Sequence, residues 1–365
     1  MSPSFVIIAT AVLVAVPCAF LGTLLVLRQM AMMGDALSHS VLPGIVVAFF
    51  ITESLGPIVS LVGAAVFGLI TVALVEALKN TGRVKEDSSI GVVFTALFAL
   101  GVFLISRFAT GVHLDLQHVL YGAIELSSLN TLIIGGVSLG PRSFWTLGIV
   151  TALVVGLVLL LYKEFKIATF DPALSAAVGF SPILIHYLLM GVVSVTVVGA
   201  FDSVGAILVV AFLIAPPATA YLLTERLSHM MALAVAVGVA SAVSGYYLAA
   251  LFDVSVAGMM AVATGALFVV ALLFSPSRGL IAAALRGRRN RSCFSRGLLL
   301  SGLDTLGGHA TEERLVRRLD WEGDVFSRAF EDALAGGFVL RSAGEEVALT
   351  RKGRDAARRL AQVTA

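Results

Sequence analysis

The chain alternates long apolar runs with short polar segments, and nine runs approach the roughly 20 residues that a membrane-spanning helix needs. The segment 107–142 is also apolar and favours amphipathic or re-entrant helices, and the runs within 183–222 are separated by little more than Asp202. The pattern predicts an all-α polytopic membrane protein with about nine transmembrane helices, with eight or ten as alternatives. The predicted spans are 5–27, 36–52, 57–76, 88–106, 143–162, 183–201, 203–224, 230–252 and 254–275.

The composition agrees with this pattern. Hydrophobic residues make up 58% of the 365 residues, charged residues make up 13%, and the mean hydropathy is +0.99. A soluble domain carries roughly a quarter charged residues, so this is the composition of a membrane protein. The chain has no G-x-x-x-x-G-K-[ST] phosphate loop, so we do not expect it to be an ATPase or any other enzyme.

Basic residues lie mainly on one side of the predicted spans. Seven follow the odd-numbered spans before the last cluster is counted, whereas the opposite loops hold only Arg107 and Arg142. Because cytoplasmic loops are rich in Lys and Arg, we expect the N-terminus outside and the C-terminus in the cytoplasm. The seven residues are Arg28, Lys79, Arg83, Lys85, Lys163, Lys166 and Arg226.

The composition changes after residue 277. We predict a transmembrane domain over 1–278, a basic juxtamembrane linker over 279–299 that lies against membrane lipid, and a small cytoplasmic α+β domain over 300–365. In this last domain the pattern predicts helices at about 310–319 and 323–336, a hairpin over 338–350, and a final helix at about 351–362.

The charge of the last domain argues against nucleic acid as a partner. From Leu300 onward the sequence holds ten Lys and Arg against eleven Asp and Glu, a net charge of −1. The expected helix 323–336, with Glu322 directly before it, carries Asp324, Glu331 and Asp332 against only Arg328. Neutralising duplex phosphates needs a basic surface, so we expect no DNA binding.

Two ligand-type residues, Asp35 and His39, stand near the start of the second apolar run. A spacing of four places them on one face of a helix. Ionisable residues in a membrane segment mark a pathway or a binding site, and a carboxylate with an imidazole suits zinc, manganese or iron. The alternative is a structural pair at a helix–helix contact. The residues alone leave both interpretations open; the Pro43–Gly44 break beside the pair, together with the resemblance described below, favours a metal pathway.

Four blocks resemble the permease subunit of bacterial ABC importers for zinc, manganese and iron. They are LRQMAMMGDALSHSVLPGI, EDSSIGVVFTALFALGV, ATFDPALSAAVGF and VGAILVVAFLIAPPATAYLL, in order over about residues 5–278. The resemblance implies a homodimer in the bacterial cytoplasmic (inner) membrane, a separate cytoplasmic ATP-binding cassette ATPase and an extracytoplasmic metal-binding protein. It implies no permanent cofactor, only a transported divalent metal.

Two further assignments come from resemblance. The stretch 164–182 resembles the coupling helix that contacts the ATPase, which implies that role for Phe170, Asp171, Pro172, Ala176 and Gly179. Asp171 before Pro172 also suits a helix start. GFVLRSAGEEVALTRKGRDAARRL resembles the wing of metal-dependent repressors of the diphtheria-toxin type, which implies a winged-helix domain.

Other polar residues have competing interpretations. His113, Asp115 and His118 either receive metal at the outer mouth of the pathway or cap a following helix. His186 is a single histidine in a span and favours a helix–helix hydrogen bond over a ligand role, and Glu76 is expected at the inner interface. Two other functions stay open: a secondary metal transporter driven by an ion gradient, and a membrane-bound metal-responsive regulator.

Overall fold

The computed structural model describes residues 2–52, 57–108, 124–125, 131–134, 137–276, 278–321, 323–341 and 346–364. The chain forms two compact units, Met1–Ser275 and Pro276–Ala365. The helices of the first unit are α1 Pro3–Leu27, α2 Met32–Thr52, α3 Pro57–Asn80, α4 Glu86–Phe108, α5 Arg142–Leu160, α6 Tyr162–Phe170, α7 Pro172–Ala177, α8 Pro182–Val204, α9 Ala206–Leu223, α10 Leu227–Phe252 and α11 Val256–Phe274.

Nine helices of the described part are long and apolar enough to cross a membrane, as the sequence predicts. The segment between α4 and α5 differs from the expectation. There Thr131–Ile134 (β1) pairs antiparallel with Val137–Pro141 (β2), so the prediction of helices is wrong for these two strands. Residues 109–123 and 126–130 of the predicted segment lie outside the described residues.

Local signals set where several helices begin. The hydroxyl of Ser181 accepts a hydrogen bond from the Leu184 amide, and Pro182 occupies the first turn of α8. Between α8 and α9 only Gly205 is non-helical, with φ of 78°, a backbone conformation that favours glycine. The expected tight turn between these two spans is therefore one residue long.

Small residues let the first-unit helices approach closely. A Cβ on Gly44 would lie 2.6 Å from the carbonyl oxygen of Gly63, and a Cβ on Gly101 would lie 2.9 Å from the Pro43 ring. Helix α2 is therefore packed directly against α3 and α4, as small residues allow in membrane bundles. This packing fixes the helix that carries Asp35 and His39.

The second unit combines four helices with a three-stranded antiparallel sheet in the order β3-β5-β4. Buried Leu303, Leu315, Phe326 and Val347 contribute to its core. Helix α12 runs through the predicted linker and beyond residue 300, and β3 occupies the position where a helix was expected to begin. The elements are α12 Leu280–Thr305, β3 His309–Thr311, α13 Glu312–Leu319, α14 Gly323–Ala335, β4 Val339–Arg341, β5 Glu346–Leu349 and α15 Arg351–Thr364.

Candidate functional site

Asp35 and His39 face each other one turn apart on α2. Nε2 of His39 lies 3.6 Å from Oδ1 of Asp35, and the two side chains are 33% and 31% exposed, respectively. This distance is too long for a hydrogen bond. It matches two ligands of one ion, because bonds of about 2.1 Å to both atoms would meet at an angle of about 120°. Both side chains are partly exposed in the single chain.

Aromatic side chains of α4 hold the imidazole of His39. Its ring stacks on Phe94, with centroids 5.5 Å apart, and meets Phe98 edge-on at 5.8 Å. The neighbouring hydroxyls are occupied within α2, since Ser38 donates to the Gly34 carbonyl and Ser40 to the Leu37 carbonyl. The imidazole is thus oriented by ring contacts that leave its Nε2 beside the carboxylate.

Pro43 lies inside α2 and supplies a further feature of the site. Proline has no N–H, so the carbonyl of His39, four residues earlier, lacks its helical hydrogen-bond donor. Such a carbonyl is tolerated in a membrane where neighbours or a water-lined cavity satisfy it. It is an oxygen of the type that hard divalent cations accept as a ligand.

No group of three or more His, Cys, Asp or Glu side chains that could hold a metal ion occurs in the described ranges. His113, Asp115 and His118 lie outside the described residues. One chain therefore offers Asp35 and His39 as a two-residue site, which is fewer than the four ligands that zinc usually takes.

A second polar cluster lies where α3 ends and α8 begins. Oε1 of Glu76 is 3.0 Å from Nε2 of His186, and the Tyr187 hydroxyl donates to Oε2 of the same carboxylate over 2.6 Å. The His186 imidazole therefore lies against α3, but its Nε2 makes no hydrogen bond to a described residue, and the helix–helix hydrogen bond that the sequence favours stays a prediction. The Tyr187 hydroxyl joins α8 to Glu76 of α3, which gives this cluster the character of a structural contact.

Arg28 adds a contact that the sequence does not predict. Its Nε donates to Oγ1 of Thr169 in α6 over 3.1 Å. A cavity of about 370 Å³ lies beside this bond, lined by Arg28, Gln29, Thr169, Pro172 and His186 among others. Burial lowers the pKa of the Arg28 guanidinium, but an arginine stays charged at neutral pH.

The stretch 164–182 folds as α6 and α7 with the predicted cap between them. Oδ1 of Asp171 accepts a hydrogen bond from the Leu174 amide over 2.9 Å, and Pro172 begins α7. After α7 the chain turns at Gly179 with φ of 97°, where a side chain would be strained. The turn directs the chain into α8.

Apolar side chains are exposed along this stretch, outside the nine long helices. Phe170, Leu174 and Val178 are 60%, 50% and 58% exposed, respectively. We call these three residues the 170–178 patch. A cluster of exposed apolar side chains beside polar residues is typical of a surface that binds another protein.

Comparison with known proteins places this chain in a family. A sequence model described as ABC 3 transport family matches residues 4–275. The manganese transport system membrane protein MntD of Bacillus subtilis (strain 168) is 52% identical over 280 residues, which cover 77% of this chain and 95% of that protein. The family match over residues 4–275 takes in Asp35, His39 and the 170–178 patch.

Two other comparisons extend this result. The zinc transport system membrane protein TroD of Treponema pallidum (strain Nichols) is 41% identical over 362 residues, covering 95% of this chain and 96% of that protein. A chain in the solved structure titled PsaBC from Streptococcus pneumoniae in complex with Fab has a TM-score of 0.63 and 29% identity, covering 76% of this chain and 94% of that chain.

Proposed function

Because this chain belongs to the ABC 3 transport family, we propose that it is the translocation subunit of an importer that moves divalent transition-metal ions into the cytoplasm. The family match over residues 4–275 carries this conclusion, since it spans all nine long helices. Relatives are named for manganese and for zinc transport, which supports zinc, manganese or iron as the class of cargo. The metal is a substrate in transit and not a resident cofactor.

Asp35 and His39 are proposed to form the metal pathway. Two ligands do not complete the shell of a transition metal, and both side chains are about one-third exposed in the single chain. A second copy of the chain would supply the same pair again and raise the number to four. Incomplete coordination within each chain suits transport, because the ion must also leave.

The 170–178 patch is proposed to bind a separate ATP-binding cassette ATPase, which would hydrolyse ATP for the importer. Exposed Phe170 and Leu174, the Asp171–Pro172 helix start, exposed Ala176 and the turn at Gly179 support this role. The excess of basic residues on the same side of the spans supports a cytoplasmic location for the patch. This orientation places the N-terminus outside.

We propose that an extracytoplasmic metal-binding protein delivers the ion on the opposite side of the bacterial inner membrane. His113, Asp115 and His118 belong to that side by the same charge argument, and their part in receiving metal stays a prediction. Lys and Arg after residue 277 support contact of the cytoplasmic side with anionic lipid.

We also propose that the second unit is a cytoplasmic winged-helix domain. The order α12–β3–α13–α14–β4–β5–α15 and the antiparallel β4–β5 pair support this fold. Its net charge of −1 from Leu300 onward favours a regulatory or dimer-stabilising role over DNA binding. The alignment with TroD covers 95% of this chain and therefore extends into this unit.

The experiment that tests the proposed function is affinity purification of the tagged chain from membranes of cells that naturally make it. We expect an ATP-binding cassette ATPase to co-purify, because the chain lacks a phosphate loop of its own. A chain that purifies without an ATPase and accumulates metal in response to an ion gradient would instead establish a secondary transporter.

Truncation after Ser275 is expected to leave ATPase assembly and metal uptake in place. The first compact unit ends at Ser275. The 280 residues matched in MntD make up 95% of that protein, so MntD is too short to contain a second unit of comparable size. Uptake by full-length and truncated chains, matched for amount in the membrane, is the measurement. Loss of uptake by a truncated chain that still assembles would make the second unit part of the translocation machinery.

A further inference from the structure

One side-chain hydrogen bond joins two parts of the first unit that have different proposed tasks. Arg28 Nε donates to Thr169 Oγ1 across 141 positions of sequence. Arg28 directly follows α1 in the connection to the metal-pathway helix α2, and Thr169 directly precedes the 170–178 patch. We propose that Arg28 and Thr169 are positioning residues that transmit movement of the patch to Asp35 and His39, an inference that rests on the proposed function.

A short, hydrogen-bonded segment joins the patch to Thr169. Thr169 is followed by exposed Phe170, and the Asp171 carboxylate caps α7 through the Leu174 amide. This cap ties α7 to the end of α6 with a charge-assisted hydrogen bond. A displacement of the patch by a bound ATPase therefore reaches Thr169 over a short length of helix.

The segment from Arg28 to the metal pathway is equally short. Residues 28–31 connect α1 to α2, and Gln29 takes a positive φ of 60°, an uncommon conformation for a residue with a side chain. The Met30 amide donates to the Leu25 carbonyl over 2.9 Å, and Asp35 lies in the first turn of α2. A displacement of Arg28 would therefore move the connection directly before the helical turn that carries Asp35.

One donor of Arg28 is unused. Its Nη2 is buried without a hydrogen bond to any described residue. The cavity of about 370 Å³ beside Arg28 and Thr169 gives the guanidinium room to change position. Because the guanidinium has an unused donor and free space next to it, it can adopt a second position with a different hydrogen bond.

The test uses the chain, its ATPase and the extracytoplasmic metal-binding protein together in lipid vesicles and measures metal ions taken up per ATP hydrolysed. Thr169→Val keeps the side-chain shape but removes the acceptor, and Thr169→Ser keeps the acceptor. A hydrogen bond to a charged group corresponds to about a tenfold change in an equilibrium, so we expect the valine variant to lower the ratio about tenfold. The serine variant should stay close to wild type.

Arg28→Gln removes the donor of the same bond and is the second variant. Its ratio should fall like that of Thr169→Val, and the double variant should fall no further, because both changes break one interaction. A wild-type ratio in the valine variant, or an equal loss in the serine variant, would overturn the inference. A wild-type complex that hydrolyses ATP without moving metal would overturn the proposed function itself, and this inference with it.

Discussion

Replacement of Asp35 by Asn, or of His39 by Ala, is expected to abolish metal accumulation while the chain still inserts and binds its ATPase. His39→Ala removes the imidazole ligand, and Asp35→Asn removes the negative charge and one of the two carboxylate oxygens; the two ligand atoms lie 3.6 Å apart on α2. Loss of a hydrogen-bonding partner of a metal ligand already costs about 10–100-fold in affinity, so loss of the ligand should cost at least as much. Manganese or zinc content of cells grown at limiting metal is the measurement.

Matched controls separate this loss from a general effect of the substitutions. Asp253→Asn changes a carboxylate at the end of α10, where the left-handed backbone also accepts asparagine. His229→Ala changes an exposed histidine in the first turn of the same helix. Both controls should keep wild-type uptake. Full uptake by Asp35→Asn and by His39→Ala would show that the pair is a structural contact.

Leu174→Asp is expected to uncouple the permease from its ATPase. Leu174 is half exposed at the centre of the 170–178 patch, and its backbone amide keeps the bond to Asp171 after substitution. Burying an unpaired carboxylate in an apolar contact costs about 3 kcal/mol, which lowers affinity by about a hundredfold. The amount of ATPase recovered with the tagged chain, and metal uptake by the same cells, should both fall.

The matched control is Leu340→Asp, which places the same carboxylate on a leucine of the second unit that is 61% exposed, against 50% for Leu174. It should leave ATPase recovery unchanged. If Leu174→Asp retained the ATPase and Leu340→Asp lost it, the ATPase contact would belong to the second unit.

The features that could be predicted from the sequence depend on residues that are close together along the chain. Nine spans follow from apolar runs, because a bilayer requires helices of a fixed length. The start of α7 is confirmed at Asp171 and Pro172, since capping involves neighbours three residues apart. The four-residue spacing of Asp35 and His39 likewise brought them onto one helix face, where the structure has them.

Contacts between distant residues lay beyond the sequence patterns. Arg28 and Thr169 are 141 positions apart, and no local spacing pairs them. Glu76 and His186 each looked like a single polar residue near a helix end, and only the packing of α3 against α8 joins them. The hairpin of β1 and β2 did have a signal, because Gly135 and Gly136 separate two apolar runs.

ATP-dependent uptake of manganese or zinc into vesicles is the most direct test of the central claim that this chain is the translocation subunit of a metal importer. The vesicles would contain the purified chain with its ATPase, and the extracytoplasmic metal-binding protein would be supplied on the side of delivery. We predict uptake that requires ATP hydrolysis and is lost with Asp35→Asn. Uptake that proceeds without ATP and follows an imposed ion gradient would contradict the account.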